Sequence, residues 1–234
     1  MLKRTLDALG AGLGLIFFAP LLLVISLAIK LSSPGPVFFR QERVGRHGRI
    51  FRIFKFRSMT ADAHLRGASV TAGDDQRITP LGAFLRSHKL DELPQLLNVL
   101  TGDMSMVGPR PEVAEFVDLF PVEYGRILTV RPGITHQATL VFRNEEEILA
   151  GAVDPRARYL RFVMPLKLKI YLDYLEQPLL EEMKIILGTL VPGLRLGIYP
   201  AIRMDEPVVA NLSYHPHVHA PLMARPEKAM EEMA

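Results

Sequence analysis

Two adjacent carboxylates and a nearby arginine are the residues whose types and spacing could perform chemistry. Asp91 and Glu92 stand at the predicted start of a helix that ends at Gly102, and Arg86 closes the helix before it. Helix-terminal N–H groups keep a carboxylate ionised, so Asp91 could act as a nucleophile. With Glu92 it could also carry a hard divalent cation that masks phosphate charge. The same position suits an ordinary N-cap aspartate, which only stabilises the helix.

A loop and a helix near this pair are predicted to position further phosphate-binding residues. The loop Gly108–Glu112 contains two prolines, which restrict its backbone and would fix Arg110, whose planar guanidinium recognises phosphate well. Thr79 as N-cap and Pro80 in the first turn predict a helix that runs to about Ser87. Together with an apolar N-terminus, these signals indicate an enzyme that acts on a phosphorylated substrate at a lipid surface.

An uncharged segment of 22 residues, Ala8–Ile29, precedes these elements. As one helix it would be roughly 33 Å long, enough to cross the hydrocarbon core of a bilayer. Pro20 interrupts helical hydrogen bonding in its middle, and basic residues flank both ends, so the positive-inside rule gives no orientation. We favour a re-entrant hairpin over residues 1–33, broken at Pro20, with Lys3 and Arg4 at the membrane interface. A kinked spanning helix and a signal peptide are the alternatives.

A basic ribbon follows, with seven basic residues and one acidic residue between Arg40 and Arg57. Two partly apolar segments around a turn at residues 45–48 predict a β-hairpin. The ribbon could lie on an anionic membrane, bind nucleic acid or form a solvated hairpin face. Lys55 and Arg57 could instead point toward an anionic substrate.

Composition limits the remaining chemistry. The chain has 234 residues, a net charge of +3 and no cysteine, which excludes disulfides, thiolate zinc sites and cysteine nucleophiles. Its length allows one good-sized domain. Helical spacing predicts two further helices, at residues 165–175 and 179–190, which pack in the core or lie on the membrane. The proline-containing tail carries three histidines that could bind a metal, although no carboxylates accompany them: His215, His217 and His219.

The chain resembles the bacterial monotopic phosphoglycosyl transferases, which are polyprenyl-phosphate sugar-1-phosphate transferases, in their minimal catalytic form. The resemblance covers about residues 1–190, and its motifs occur in the family's order and spacing. Besides the basic start and Pro20, these motifs are Phe51–Met59, Asp75–Thr79, Leu90–Leu96, Gly102–Ser105, Val107–Pro111 and Arg131–Thr135.

We therefore predict an α+β fold in three parts. Residues 1–33 would form the re-entrant membrane hairpin, and residues 34–196 the catalytic domain. That domain would contain the short β-hairpin and a mainly helical core with membrane-interfacial helices. Residues 197–234 would form the C-terminal tail.

The resemblance implies transfer of a sugar phosphate from a UDP-sugar to polyprenyl (undecaprenyl) phosphate, with release of UMP, at the cytoplasmic face of the bacterial inner membrane. Asp91 would be the nucleophile of a covalent phosphosugar intermediate, and the required Mg²⁺ would sit beside Asp91 and Glu92. The resemblance also implies that Arg86, Arg110 and Lys55 contact phosphate oxygens. It implies that Arg131 lies toward the nucleotide.

The implied partners are the UDP-sugar, polyprenyl phosphate and membrane lipids, but not nucleic acid. A homodimer is compatible with the sequence, which gives neither the oligomeric state nor the sugar. Two segments depart from the family: Ala19 stands before Pro20 where serine is frequent, and residues 136–147 differ where we expect sugar specificity to vary. The alternative function is a membrane-anchored basic module that uses residues 40–57 to bind anionic lipid or nucleic acid.

Overall fold

The structure, a computed structural model, describes residues 2–60, 63, 75–150, 152–177 and 179–191. The predicted tail at 197–234, with its three histidines, lies outside the described residues. In chain order the helices and strands are α1 (Leu2–Ser32), β1 (Phe38–Val44), β2 (Ile50–Phe56), α2 (Pro80–Ser87), α3 (Gln95–Thr101), β3 (Ser105–Val107), α4 (Ala114–Val117), α5 (Pro121–Ile127), β4 (Gly133–Thr135), α6 (Gln137–Val141), α7 (Glu145–Leu149), α8 (Pro155–Arg158), α9 (Met164–Tyr174) and α10 (Leu179–Leu190). This mixture of helices and small sheets confirms the coarse prediction of an α+β fold.

Helix α1 runs without interruption through Pro20. The predicted break into two arms is therefore not confirmed. The helix is long and apolar enough to cross a membrane by length and composition. Both Pro20 and Ala19 are exposed, so the hydrogen bond that proline cannot make is missing on the side facing away from the protein.

One stripe of α1 packs on the rest of the protein along nearly its whole length. Ala11 contacts a cluster on β2 and α3, whereas Ile25 and Ile29 pack with Phe56 and Leu85. The opposite stripe is apolar and exposed over the same length: Leu2, Leu6, Leu9, Leu13, Ile16, Phe17, Leu23, Val24, Leu27 and Leu31. Helical spacing of three and four residues produces both stripes.

The predicted β-hairpin is confirmed. Strands β1 and β2 pair antiparallel, with Phe38 opposite Phe56 and Val44 opposite Ile50. The turn between them includes His47 in the left-handed region, with φ of 56°.

A second sheet was not predicted from the sequence. Strands β3 and β4 pair in parallel, with Ser105 beside Gly133 and Val107 beside Thr135. Three residues are too few to show the alternating pattern by which a strand is identified.

The main hydrophobic core lies among α4, α5, α6 and α9. Phe120, Tyr124, Met164, Leu168 and Tyr171 are all almost completely buried there. The two C-terminal helices predicted from the sequence are thus present as α9 and α10. Helix α9 packs in the core, whereas α10 keeps part of its apolar surface exposed.

Candidate active site

The carboxylate pair lies in a short turn of its own rather than at a helix N-cap, which corrects the sequence prediction. Asp91 and Glu92 belong to a single 3-10 turn, and α3 begins only at Gln95. Pro94 cannot donate the hydrogen bond that would continue an α-helix back to Leu90. The N–H of Leu93 instead bonds to the Leu90 carbonyl at 3.3 Å, which tightens the turn.

Glu92 is the centre of a partly buried cluster of charges. Lys55 Nζ donates to its Oε1 at 2.8 Å, and Arg110 Nη1 donates to its Oε2 at 3.2 Å, while Nη2 of the same arginine also bonds Oε1. Burial by itself would raise the pKa of Glu92, but Arg110 and Lys55 hold that pKa well below its usual value. Glu92 is therefore an ionised carboxylate that orients two cations.

Asp91 lies beside this cluster, and the pKa of its carboxyl is shifted upward, opposite to that of Glu92. It is buried, and burial raises the pKa of its carboxyl, with Lys55 opposing the shift and Glu92 adding to it. Arg86 and Arg110 also act on Asp91 as nearby positive charges. A carboxylate that is poorly solvated, and that is surrounded by cations able to bind phosphate, is suited to attack phosphorus.

Asn98 fixes the strand that carries Lys55. This fully buried side chain on α3 accepts from the Phe54 N–H at 2.9 Å and donates to the Arg52 carbonyl at 2.9 Å. It therefore replaces a neighbouring strand along the open edge of β2. Asn98 was not among the sequence-predicted site residues, and nothing in its local pattern distinguishes it from an ordinary polar helix residue.

Two glycines fix the loop that carries Arg110. A Cβ on Gly133 would lie 2.1 Å from the Gly108 nitrogen, and a Cβ on Gly108 would lie 2.4 Å from the Arg131 carbonyl. Their close contact allows Gly133 N to bond Pro109 O at 2.9 Å and Gly108 N to bond Thr135 O at 3.1 Å. The predicted rigidity of the Gly108–Glu112 loop thus depends on β4 as well as on its prolines.

A cavity of about 620 Å³ opens beside the charge cluster. Arg86, Glu92 and Arg110 line it, and Asp91 and Lys55 adjoin Glu92 without lining it themselves. The lining also includes Lys167 and the buried Tyr171, together with many apolar residues. The structure thus brings the three predicted phosphate-binding residues, Arg86, Arg110 and Lys55, together with Asp91 and Glu92.

The remaining predicted basic residues have other contacts. Lys3 donates to Glu182 at 2.5 Å, and Arg4 donates to the Leu100 carbonyl at 2.9 Å near the end of α3. Arg131 Nε donates to the Gly102 carbonyl at 2.9 Å. The membrane role of Lys3 and Arg4 and the nucleotide role of Arg131 stay predictions.

Arg57 does not point toward a substrate site, which corrects one alternative. The guanidinium is buried and donates to the carbonyls of Pro34 at 2.7 Å and Ser33 at 2.8 Å, just after α1. Arg43 is also used internally, with Glu112 at 3.6 Å. Two residues of the basic ribbon, Arg43 and Arg57, therefore form contacts within the protein. Arg40, by contrast, is exposed to solvent.

The carboxylate pair has the donor set that Mg²⁺ uses. No group of three or more histidine, cysteine, aspartate or glutamate side chains lies together among the residues that the structure describes. Mg²⁺ is commonly held by one or two carboxylates together with phosphate oxygens and water. A carboxylate has about four acceptor positions. The hydrogen bonds from Lys55 and Arg110 occupy two of these acceptor positions on Glu92 Oε1 and one on Oε2. About one position on Oε2 remains, and together with the Asp91 carboxylate it fits such an ion.

Comparison with known proteins identifies the family. A sequence profile described as "Bacterial sugar transferase" matches residues 1–195. The chain belongs to the bacterial sugar transferase family. The match includes the carboxylate turn, the Arg110 loop, α1 and both small sheets.

Individual members of the bacterial sugar transferase family extend this comparison. The chain is 48% identical over 143 residues to the UDP-N-acetylgalactosamine-undecaprenyl-phosphate N-acetylgalactosaminephosphotransferase of Aeromonas hydrophila, covering 60% of this chain and 34% of that protein. It is 46% identical over 143 residues to the UDP-glucose:undecaprenyl-phosphate glucose-1-phosphate transferase of Escherichia coli K12, covering 60% of this chain and 31% of that one. It therefore spans about a third of the length of these two relatives.

A shorter relative matches over nearly its whole length. The chain is 38% identical over 206 residues to the exopolysaccharide production protein PSS of Rhizobium leguminosarum bv. phaseoli, covering 84% of this chain and 97% of that protein.

Proposed function

We propose that this protein transfers a sugar phosphate from a UDP-sugar to polyprenyl phosphate and releases UMP. The observation that carries the proposal is the cluster of Lys55, Arg86 and Arg110 around the Asp91–Glu92 turn, beside a cavity with an apolar wall. The names of the relatives, which are undecaprenyl-phosphate sugar phosphotransferases, support the same reaction.

In the first step an Asp91 carboxylate oxygen attacks the sugar-bearing phosphorus. The bond from that phosphorus to the oxygen that leaves with UMP breaks, and a covalent aspartyl-phosphosugar forms. Arg110 and Arg86 stabilise the charge that develops on the phosphate oxygens, and Glu92 keeps Arg110 and Lys55 oriented. A Mg²⁺ held by Asp91 and Glu92 would mask phosphate charge while the carboxylate approaches.

In the second step a phosphate oxygen of polyprenyl phosphate attacks the same phosphorus. The bond from phosphorus to the Asp91 oxygen breaks, which regenerates the carboxylate and yields a polyprenyl diphosphate sugar. Two successive displacements allow a soluble donor and a lipid acceptor to use one phosphate site in turn, so the two anions need not occupy it together.

We further propose that α1 is a re-entrant membrane element at the cytoplasmic face, where UDP-sugars are available. Its exposed apolar stripe supports contact with lipid. Both of its ends are held by the rest of the protein: Ser105 donates to Asp7 at 2.8 Å near the first end, and Arg57 donates to the Ser33 carbonyl at 2.8 Å just after the other. A helix that crossed the bilayer would carry one of these ends away from the protein.

The test measures UMP release by the detergent-solubilised protein with Mg²⁺ and undecaprenyl phosphate, using a panel that includes UDP-glucose and UDP-N-acetylgalactosamine. We expect release with one donor, covalent radiolabel from the sugar on the wild-type protein, and neither with Asp91→Asn. If Asp91→Asn keeps full turnover, or if no donor reacts with folded protein, the proposal fails. Equal lipid binding by both proteins without turnover would favour the membrane-anchored basic module instead.

A further inference from the structure

An apolar groove leads away from the charged part of the cavity, between α1 and α10. Its α1 wall consists of Gly10, Gly14 and Phe18, which stand on one face because they are four residues apart. Ile186 and Leu190 line it from α10. The groove and the arginines belong to one continuous cavity, so a single molecule can reach both.

The glycines on α1 keep this groove open. A Cβ on Gly10 would meet no atom within 4 Å, and a Cβ on Gly14 would come within 3.2 Å of Leu96 Cδ1. Glycine weakens the interior of a helix relative to alanine. Because Gly10 and Gly14 line the cavity, larger side chains at these two positions would occupy part of the groove.

The two helices that form the groove are also apolar on their outer surfaces. Leu13 and Phe17 on α1 are exposed, as are Met183 and Leu187 on α10. A ligand that reaches the groove from this side therefore passes over apolar surface until it meets the arginines. Such a path fits an amphiphile with a long hydrocarbon chain and an anionic head.

We propose that the groove binds the isoprenoid chain of the polyprenyl phosphate acceptor, whose phosphate then lies at Arg86 and Arg110. This inference rests on the proposed function and assigns the acceptor's chain to a place in the fold. Bulk membrane lipid and the donor sugar are the competing occupants of the groove. Only binding of the acceptor's isoprenoid chain makes the effect of a groove substitution on the acceptor KM depend on the length of that chain.

The matched pair Gly10→Leu and Gly12→Leu tests the groove. On an ideal helix the two positions are about 200° apart. A Cβ on Gly12 also meets no atom within 4 Å, but Gly12 does not line the cavity. We expect Gly10→Leu to raise the KM for undecaprenyl phosphate about tenfold, because a few methylene groups lose their contacts, and Gly12→Leu to leave it unchanged. With a short, water-soluble prenyl phosphate, Gly10→Leu and the wild type should have equal KM values.

Equal acceptor KM values for the two leucine variants would overturn the inference, as would a Gly10→Leu effect that is the same for short and long acceptors. Ile186→Phe narrows the groove from the opposite wall and replaces Gly10→Leu if that variant does not fold. UMP release by the wild type without acceptor reports on the proposed function separately. If UMP release is absent, photocrosslinking with a diazirine-bearing undecaprenyl phosphate still tests the groove. Crosslinks to α1 and α10 that disappear in Gly10→Leu would support binding in the groove, and crosslinks elsewhere would refute it.

Discussion

At the scale of single residues, two adjacent carboxylates have opposite electrostatic surroundings. Arg110 and Lys55 bond Glu92 directly, which holds its pKa well below the usual value despite burial. Burial dominates at Asp91 and raises its pKa. One carboxylate is therefore stabilised as an ion in a fixed position, and its neighbour is a destabilised ion suited to react.

Asp91→Asn is expected to stabilise the protein while abolishing transfer. Because the folded-state pKa of Asp91 is raised, its ionised form lowers stability at every pH above that pKa. Thermal unfolding at neutral pH should show an increase of about 2–4 °C, as for a gain of about 1 kcal/mol. The difference should shrink as pH falls through the folded-state pKa toward the ordinary carboxyl value. A lower midpoint than wild type at neutral pH would contradict this account.

Glu92→Gln is expected to have the opposite effect on stability. Removing the carboxylate that Arg110 and Lys55 share leaves two partly buried cations without it, which should cost about 2 kcal/mol in urea unfolding at neutral pH. Because the folded-state pKa of Glu92 is lowered, its contribution is complete above the ordinary carboxyl pKa and is lost as pH falls through the folded-state pKa. Unfolding curves that coincide with those of the wild type at neutral pH would show that the ion pairs contribute nothing.

At the scale of elements, short segments that are distant in sequence hold the charged residues in position. Strand β2 carries Lys55 and is held at its edge by Asn98 of α3. The Arg110 loop follows β3 and lies against β4 through the contact of Gly108 with Gly133. The site is thus rigid because each cation stands on an element that a second element fixes.

Gly133→Ala tests the contribution of the second sheet, with Gly125→Ala as its matched control. The new Cβ at position 133 would overlap the backbone at Gly108, which should cost about 2 kcal/mol in stability. The displaced Arg110 should lower kcat by about 100-fold. A Cβ at Gly125 in α5 meets no atom within 4 Å, so Gly125→Ala should be about 0.5 kcal/mol more stable than wild type. Equal stability of the two variants would refute the overlap.

At the scale of the whole molecule, α1 connects an exposed apolar surface to the cavity of the candidate active site. Its inner stripe packs on β2, α3 and α2, its outer stripe is apolar and exposed, and Gly10 and Gly14 line the cavity between them. If α1 lies in the membrane as proposed, it would present the proposed lipid acceptor directly to the Asp91–Glu92 turn.

Cysteine labelling tests the topology of α1. The chain has no cysteine, so single variants Leu2→Cys and Ser32→Cys, at exposed positions, each carry one thiol. The exposed Ala150→Cys marks the catalytic domain. A membrane-impermeant maleimide should label all three in inverted vesicles and none in intact spheroplasts. Labelling of Leu2→Cys from the opposite side to Ala150→Cys would establish a spanning helix and refute the re-entrant proposal.

The sequence by itself determined the features that depend on local patterns. The β-hairpin follows from two segments around a turn, and α2 follows from the Thr79 cap, whose side chain accepts from Gly82 N at 2.9 Å as predicted. Asp91, Glu92 and Arg110 were recognisable because their residue types and motifs carry the chemistry. The predicted helix start at Asp91 is wrong because Pro94 lacks the N–H that would continue the helix back through this turn, so α3 begins at Gln95.

Only the tertiary structure decided which charges meet. Lys55 and Arg110 are separated from Glu92 by 37 and 18 positions, and no periodicity indicates that both bond to it. The same holds for Arg57, which the sequence could not distinguish from Lys55 two residues earlier, although one faces the site and the other binds the end of α1. The physical reason is that hydrogen bonds between distant segments depend on how the elements pack, and neither residue type nor spacing along the chain encodes that packing locally.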